Sequence, residues 1–349
     1  MKKYAFLFAS LFTTLNVFSQ TNVVPFLPND PIGDGIVYYL PKTVVNVEAE
    51  AEQTIQKTGP FVNYARLYLG VKDFITKNKT SWNLKSVKLR TIARPDHDRA
   101  FKIIVAPNTV APFVTLDKQG IICAVNTSIE KNQRINRKPN IASEEIDTVF
   151  CMNLLGQEAL MANSIPKMAE LAAKQIYRIR ENRANLLSGE NELLPDGTAL
   201  KEMIAKLESD ERELTALFIG KIATRTTKRN FEYEPQKTER ATVLFRISRR
   251  EGIVTSDNLT GAPIYVNCEV FRQEVAENND KRTSENGIFY TVPGKAHIVI
   301  TDNNTVFAEK DVVAPQLGGI AALPAALFNK SDVKVEFNPA TGQIVSIKK

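Results

Sequence analysis

One stretch of helical periodicity interrupts a sequence that otherwise follows β-strand patterns. Between Ser164 and Gly220, apolar residues recur every three or four positions, as they do on one face of an amphipathic helix. On both sides of this stretch, apolar and polar residues alternate with the period of two that is typical of β-strands. The pattern predicts an α+β fold in which two β-rich parts, mostly antiparallel, flank an α-helical hairpin.

The helical stretch divides into two predicted helices. The first ends near Ser188-Gly189, and the second begins at Pro195-Asp196-Gly197 and ends at Gly220, with Asp196 or Thr198 as its N-cap. A linking loop this short is typical of two antiparallel neighbours. Charged residues crowd the outer face of the second helix, which is either solvated surface or a docking surface.

The part before the helices carries signals for strands and one short helix. The helix is predicted from Pro60 to Gly70, because Pro is favoured at the first helical position and Gly just after the last. A hairpin with its tip at Arg94–Asp98 is predicted because Pro followed by Asp is turn chemistry. Strands are also expected over Ile36–Leu40, Val45–Glu50 and Ile121–Val125, the last continuing the same sheet.

The part after the helices is predicted to be β-rich up to its last residues. Its clearest element is a final hairpin in which Pro339–Gly342 turns the chain between two short strands. The predicted strands are Val243–Ile247, Ile264–Val270, Ile288–Val292, Ala296–Ile300, Val333–Phe337 and Ile344–Ile347.

Two segments of the β-rich parts resemble each other. Gly35–Pro41 and Gly287–Pro293 share a Gly, an apolar run and a Pro, and both lead into a further strand. A Pro at the same place in two strands would bend both equally, which indicates two related β modules. A coincidence of β-rich composition explains so short a similarity equally well.

The first residues have the form of a secretory signal peptide. Lys2 and Lys3 precede an apolar run over Tyr4–Leu15, and cleavage is predicted between Ser19 and Gln20. The apolar run is too short to cross about 30 Å of hydrocarbon, so a membrane anchor is not expected. No Cys lies near the cut, so lipid attachment there is not expected either. The expectation is a periplasmic or extracellular protein that does not span a membrane.

These signals divide the chain into four predicted parts. A signal peptide covers 1–19, an N-terminal β-rich domain with one short helix covers 20–160, the helical hairpin covers 161–222, and a C-terminal β-rich domain covers 223–349. The 43% hydrophobic residues are enough for real cores, and the 24% charged residues argue against wholesale disorder.

Composition also limits the function. Two His and three Cys without a C-x-x-C spacing make a metal or redox cofactor unexpected. Removing Lys2 and Lys3 lowers the net charge from +6 to +4, and the basic clusters at Arg225–Arg229 and Arg249-Arg250 are short. A nucleic-acid partner is therefore not expected. Cys123 and Cys151 could form a disulfide in an oxidising compartment, or all three cysteines could be small buried apolar residues.

His97 is the one candidate for acid–base or metal chemistry. It lies between Asp96 and Asp98, and a His beside carboxylates can act as a base or as a ligand. The alternative is a polar hairpin tip in which the Asp side chains bond to local backbone N–H groups. A base without a nucleophile or an oxyanion site is not a catalytic set, so no catalytic, cofactor-binding or metal-binding residue is predicted.

Two further sets of residues have a functional and a structural interpretation. Oxygen-bearing loops could hold calcium or be ordinary turns, and several tyrosines could stack on a sugar or belong to the core. The loop residues are Asp30, Asp34, Asn278–Asp280 and Asp302–Asn304, and the tyrosines are Tyr38, Tyr39, Tyr64 and Tyr68.

Three motifs together resemble a known family. They are Gly35–Thr43, Gly59–Gly70 with its paired tyrosines, and Pro195-Asp196-Gly197 followed by Leu214–Phe218. The chain is similar over most of its length, from about Gly35 to Ile347, to an uncharacterised domain-of-unknown-function family of exported Bacteroidetes proteins. The resemblance implies an envelope location and carries no activity or site residue. Asp147-Thr148-Val149 also resembles a short O-glycosylation site of Bacteroidetes envelope proteins.

The sequence favours a non-enzymatic binding or scaffolding module of the cell envelope, with another envelope protein or a glycan as its partner. The alternative is an exported hydrolase that acts on envelope polymers or glycans through paired carboxylates. A third hypothesis is a structural protein that self-associates through the helical hairpin. The sequence leaves the ligand and the oligomeric state open.

Overall fold

A computed structural model describes residues 22–27, 30, 33–104, 113–128, 148–188, 197–274, 287–324 and 333–349. The described chain is rich in antiparallel β-sheet and has a few helices, as the sequence predicts at this level. The predicted signal peptide, the N-cap at Asp196, the loop between the helices and the Asn278–Asp280 loop lie outside these ranges.

Sheet 1 combines strands from before and after the helices. Its order is β1 (Asn22–Pro25), β3 (Lys79–Ile104), β2 (Ile36–Lys57) and β6 (Lys221–Tyr233), all antiparallel. Strand β6 was not predicted, because its Lys and Arg residues looked like a basic surface cluster. It directly follows the last helix and pairs with β2 along its whole length.

Sheet 2 is formed only by strands that follow the helices. Its order is β11 (Val306–Pro324), β10 (Gly287–Thr301), β9 (Ala262–Phe271), β7 (Glu239–Ser248) and β8 (Gly252–Val254). The predicted strands of this region are confirmed in β7 and β9, whereas β11 was not predicted.

Sheet 3 joins a hairpin that precedes the helical stretch to the last hairpin of the chain. Its order is β13 (Ile344–Lys348), β12 (Lys334–Phe337), β5 (Ile122–Val125) and β4 (Val114–Leu116). The final hairpin is confirmed in β12 and β13. The expectation that Ile121–Val125 continues the first sheet is wrong, because β5 pairs with β4 and β12.

The helices pack together in one cluster, and most of them lie between the β-rich parts along the chain. Helix α1 (Ala65–Leu69) ends at Gly70, as predicted, and is followed along the chain by α2 (Gln157–Leu160), α3 (Ile165–Ser188) and α4 (Gly197–Ile219). Apolar residues of α3 and α4 share one buried cluster. No helix in the described ranges is long and apolar enough to cross a membrane.

The predicted hairpin tip at Arg94–Asp98 is wrong, because β3 continues through it. Leu40 pairs with Asp96, whereas Tyr39 pairs with Ala100, so three residues of β3 bulge out of the ladder. The Asp96 carboxylate accepts a hydrogen bond from the Asp98 N–H (3.2 Å) and lies 3.6 Å from the Arg99 guanidinium. Local Asp-to-backbone bonding is common to turns and bulges, and here it holds a bulge.

Two pairs of predicted strands are single long strands. Ile36–Leu40 and Val45–Glu50 both belong to β2, and Ile288–Val292 and Ala296–Ile300 both belong to β10. The prolines between them lie at or next to register shifts of the ladder. A residue without an N–H is tolerated at such a place, so the strand does not end there.

The strand pairs β2–β3 and β10–β11 form two long ribbons. Equivalent residues are paired in both ribbons, before and after the register shift in each ladder. The equivalent pairs are Ile36–Ile103 and Ile288–Leu323, Tyr39–Ala100 and Thr291–Ile320, and Thr43–Ala93 and Lys295–Val313.

The two small hairpins of sheet 3 correspond in the same way. Their ladders shift at equivalent places, between Thr115 and Leu116 and between Glu336 and Phe337. The turn carbonyls of Gly120 and Gly342 accept hydrogen bonds from the backbone N–H groups of Tyr39 (2.9 Å) and Thr291 (3.1 Å), which are equivalent positions of β2 and β10. We name β2–β5 unit 1 and β10–β13 unit 2; their correspondence favours related modules over coincidence.

Three apolar cores hold these parts together. One lies between sheets 1 and 2, one involves sheet 3, and one lies among the helices. Strand β2 contributes Tyr38 to the core at sheet 3 and Val47 to the core between the sheets, and β10 contributes Ile288 and Ile298 in the same way. The two β-rich parts of the predicted domain division therefore share sheets and cores.

Candidate functional site

A polar groove lies on sheet 1 and has a volume of about 860 Å³. We call it the outer groove. Its lining combines four charged side chains with a short apolar floor and one imidazole. The lining residues are Lys42, Val44, Ile92, Arg94, Pro95, His97, Gln119, Glu232 and Glu234.

Strand alternation explains which side chains reach the groove. Val45 and Val47 of β2 point into the core between the sheets, so Lys42 and Val44 point to the opposite face. Arg94 and Ile92 are their direct partners on β3. Directly opposed residues share a face, so β2 and β3 together supply two cations and the apolar floor.

Two ion pairs span the groove. Each joins a cation of β2 or β3 to a carboxylate at or just after the end of β6. The Lys42 ammonium lies 2.9 Å from Glu234, and the Arg94 guanidinium contacts Glu232. The hydrogen bond to Glu234 raises the pKa of Lys42 above its ordinary value. Arg94 is thus balanced by Glu232 of β6 and Lys42 by Glu234, which directly follows β6, so the groove is polar without a strong net charge.

The bulge of β3 positions His97 at the groove. The side chain is exposed, and its ring packs edge-on against Tyr39, with 5.0 Å between the ring centroids. Asp96 is buried and contacts Arg99 and the Asp98 N–H instead of the imidazole. His97 therefore lacks the orienting carboxylate on which a predicted base would depend.

The bulge is fixed to unit 2 by hydrogen bonds. Arg99 donates to the carbonyls of Pro315 and Gln316, both at 3.1 Å. The Gln316 side chain in turn accepts from the Thr43 N–H (2.9 Å) and donates to the Thr43 carbonyl (2.8 Å). These bonds tie the β3 bulge that carries His97, and the β2 segment beside it, to β11.

Comparison with known proteins identifies a family but no activity. A family model for a domain of unknown function, DUF4831, matches residues 34–345. The chain belongs to the DUF4831 family. This confirms the expected domain-of-unknown-function family, while the Bacteroidetes origin and the export that the resemblance implied stay predictions. No curated protein and no solved structure matches the chain.

The candidate tyrosines of this DUF4831 chain are mostly structural. Tyr38 is fully buried, and burial raises the pKa of its hydroxyl above the ordinary value. Tyr39 is half-buried beneath His97, and Tyr64 and Tyr68 stack on each other beside the helical core. The core interpretation therefore describes these residues better than a sugar-stacking platform does.

The oxygen-bearing loops that the structure describes behave as ordinary turns. The Asp30 carboxylate accepts from the Leu27 N–H at 2.8 Å, and Asp302 accepts from the N–H groups of Asn304 and Thr305. In the described ranges, no group of three or more His, Cys, Asp or Glu could hold a metal ion. Asp34 lies at an exposed bend just before β2.

Two of the three cysteines agree with the apolar interpretation. Cys123 and Cys268 are buried in β5 and β9, and Cys151 is half-buried. Burial raises the pKa of the Cys268 thiol. Of the glycosylation motif, Thr148 and Val149 are described and Asp147 lies outside the described residues.

Sequence reasoning missed the charged residues of the outer groove. Arg94 and Glu232 are 138 positions apart, and Glu232 belongs to a strand that was not predicted. The β-branched and aromatic residues of Lys221–Tyr233, which favour strands, were a signal that could have indicated this strand.

Proposed function

We propose that this DUF4831 protein is an exported, non-enzymatic module of the cell envelope that binds a protein partner in the outer groove. The supporting observation is the groove with its two ion pairs, Lys42–Glu234 and Arg94–Glu232. The partly exposed charges around Val44 and Ile92 match a protein surface, in which a small apolar centre is surrounded by polar contacts.

The groove suits a protein better than a glycan. Sugar recognition usually relies on an aromatic face that stacks on the ring. Tyr38 is buried and His97 covers Tyr39, so neither tyrosine offers such a face. Four partly exposed charges of both signs, by contrast, can meet complementary charges on a protein and set its orientation.

The hydrolase alternative receives no support from the groove. Glu232 and Glu234 are the paired carboxylates nearest to such a role, and each is held by a cation. Both carboxylates are thus engaged by cations of the groove, whereas glycoside hydrolysis needs two carboxyl groups that are available to the sugar. Hydrolysis therefore stays a hypothesis without an observation in its favour.

The export and the helical hairpin belong to the same proposal. The pattern of Lys2, Lys3 and the following apolar run supports secretion.

Glu211 of α4 binds Arg180 (2.6 Å) and Arg183 (2.7 Å) of α3, which supports a hairpin closed by residues 189–196. A helical pair held in this way gives a scaffold protein a second rigid surface.

A charge exchange in the groove separates binding from folding. Arg94→Glu places two carboxylates together and is expected to reduce cross-linked partner from native envelopes at least tenfold. In the double variant, Arg94→Glu with Glu232→Arg, the two charges exchange places and can pair again. Thermal stability should therefore return, while capture of the partner stays lost. Lys228→Glu is the matched control, because this cation pairs with Glu48 (3.5 Å) outside the groove. Wild-type capture by the exchanged variant would contradict the proposal.

A further inference from the structure

Sheet 3 is built by adding one unit to the next. Strand β12 of unit 2 pairs with β5 of unit 1, through Val335–Val125 and Glu336–Ala124. In each unit, the first hairpin strand is β4 or β12 and the second is β5 or β13. The first strand of unit 2 thus joins the second strand of unit 1, and the order β13-β12-β5-β4 runs head to tail.

The second strands of the two units differ sharply in burial. In unit 1, Cys123 and Val125 of β5, the strand between β4 and β12, are 6% and 0% exposed. Their counterparts in β13 are Val345 and Ile347, which are 64% and 52% exposed. Strand β13, at the edge of sheet 3, therefore presents to solvent apolar side chains whose counterparts in β5 are buried.

The opposite edge of sheet 3 carries the matching strand. Strand β4 is the counterpart of β12, and among the described residues it is the outermost strand at that end. Phe113, which directly precedes it, is 60% exposed. An apolar strand edge with unsatisfied backbone groups is a template for pairing with another chain.

We propose that a second copy of this chain adds its β4 to β13, in the way that β12 adds to β5 within one chain. The internal register places Val114 of one copy opposite Ile347 of the other, and Thr115 opposite Ser346. The two surfaces are different, so the contact is heterologous and each added copy leaves a new β13 open. The products are short head-to-tail chains of protein molecules.

The contact is expected to be weak. The internal β5–β12 pairing extends over two residue pairs, so the intermolecular pairing should be equally short. An interface this small is at the low end of specific contacts, and its Kd is expected to be roughly 10 µM to 1 mM. Neighbouring copies held at high local concentration in one compartment would still associate.

Sedimentation of the purified protein tests the self-association. The weight-average mass is expected to rise with concentration past the mass of a dimer without levelling off. Ile347→Lys places a charge in the contact and should abolish this rise. Ile222→Lys is the matched control, since Ile222 is 63% exposed on β6, the edge strand of sheet 1, and should leave the rise unchanged.

A cysteine pair tests the register. Thr115→Cys combined with Ser346→Cys is expected to give a ladder of disulfide-linked species above the dimer on mild oxidation, beyond that of the wild-type protein. Each single variant should give no such ladder. A monomer at all concentrations, a mass that levels off at a dimer, or dimers of the Ser346→Cys variant alone would overturn the proposal.

Discussion

Among single residues, Gly342 in the last turn packs against both units. It has a φ of +67°, its carbonyl accepts from the Thr291 N–H, and a Cβ there would collide with Thr291 and lie 2.9 Å from Pro41. Gly70 has the same φ of +67°, but a Cβ would meet nothing within 4 Å. Ala substitutions at the two glycines therefore separate two costs in stability, that of the left-handed backbone conformation and that of crowding around the added Cβ.

We predict that Gly342→Ala destabilises the protein more than Gly70→Ala does. Gly70→Ala should lower the free energy of unfolding by about 1–2 kcal/mol, the usual cost of a left-handed conformation for a residue with a Cβ. Gly342→Ala should cost about 2 kcal/mol more, because the collision adds overpacking strain. Denaturant titration of both variants measures the difference, and equal costs would show that the contact of the last turn with β10 is loose.

A second prediction concerns Tyr38 at high pH. Its hydroxyl accepts from the Phe289 N–H at 2.9 Å, and burial raises its pKa above the ordinary value of 10.0. Above about pH 10 the unfolded state releases this proton first, so the free energy of unfolding falls as the pH rises. Tyr38→Phe should lower stability by about 1–2 kcal/mol at neutral pH and make the fall above pH 10 shallower. Parallel pH profiles of both proteins would contradict this.

Among the elements, the helix pair offers a direct test of a partly buried ion pair. Glu211 is 15% exposed and joins α4 to two arginines of α3, whereas Glu170 binds Lys167 and Lys174 within α3. Glu211→Gln should cost about 1–2 kcal/mol, because a charge-assisted bridge between two helices is lost. Glu170→Gln should cost clearly less, because ion pairs exposed to solvent contribute little to stability. Thermal unfolding compares them, and equal losses would contradict the bridge between α3 and α4.

The elements also explain which parts of the fold were predictable. The final hairpin was found because Pro339–Gly342 is a local turn, and the helices were found because their periodicity is local. Strand β2 was divided in two because Pro41 resembles a strand end, although a shift in pairing with β3 accommodates it. Whether a proline ends a strand depends on the partner strand, which sequence periodicity does not specify.

The candidate site was harder to predict than the fold. His97 was noticed through its neighbouring carboxylates, but in the structure the Asp96 carboxylate contacts the Asp98 N–H and Arg99. Arg94 and Glu232 meet only because β6 returns to β2 after the helices. Long-range pairing of this kind brings residues together that no local pattern connects.

For the whole molecule, the order of pairing has a consequence for folding and export. Sheet 1 is completed only when β6 reaches β2, across more than 160 residues of chain. Such non-local pairing is typical of slowly folding proteins, and slow folding is compatible with the proposed export.

The export proposal makes a simple prediction at this scale. The protein recovered from the envelope or medium should begin at Gln20, because signal peptidase is expected to cut after Ser19. Intact mass spectrometry measures the mature N-terminus. Recovery of the uncleaved chain, with Met1 or Lys2 at its start, would contradict secretion by this route.

Site-specific photo-cross-linking in the native envelope tests the central claim most directly. A photoreactive residue at His97, at the outer groove, is expected to give a discrete conjugate with one envelope protein. The same residue at His297, a half-exposed position of β10 outside the groove, should not give it. The same conjugates at both positions, or none at His97, would contradict a binding function of the groove.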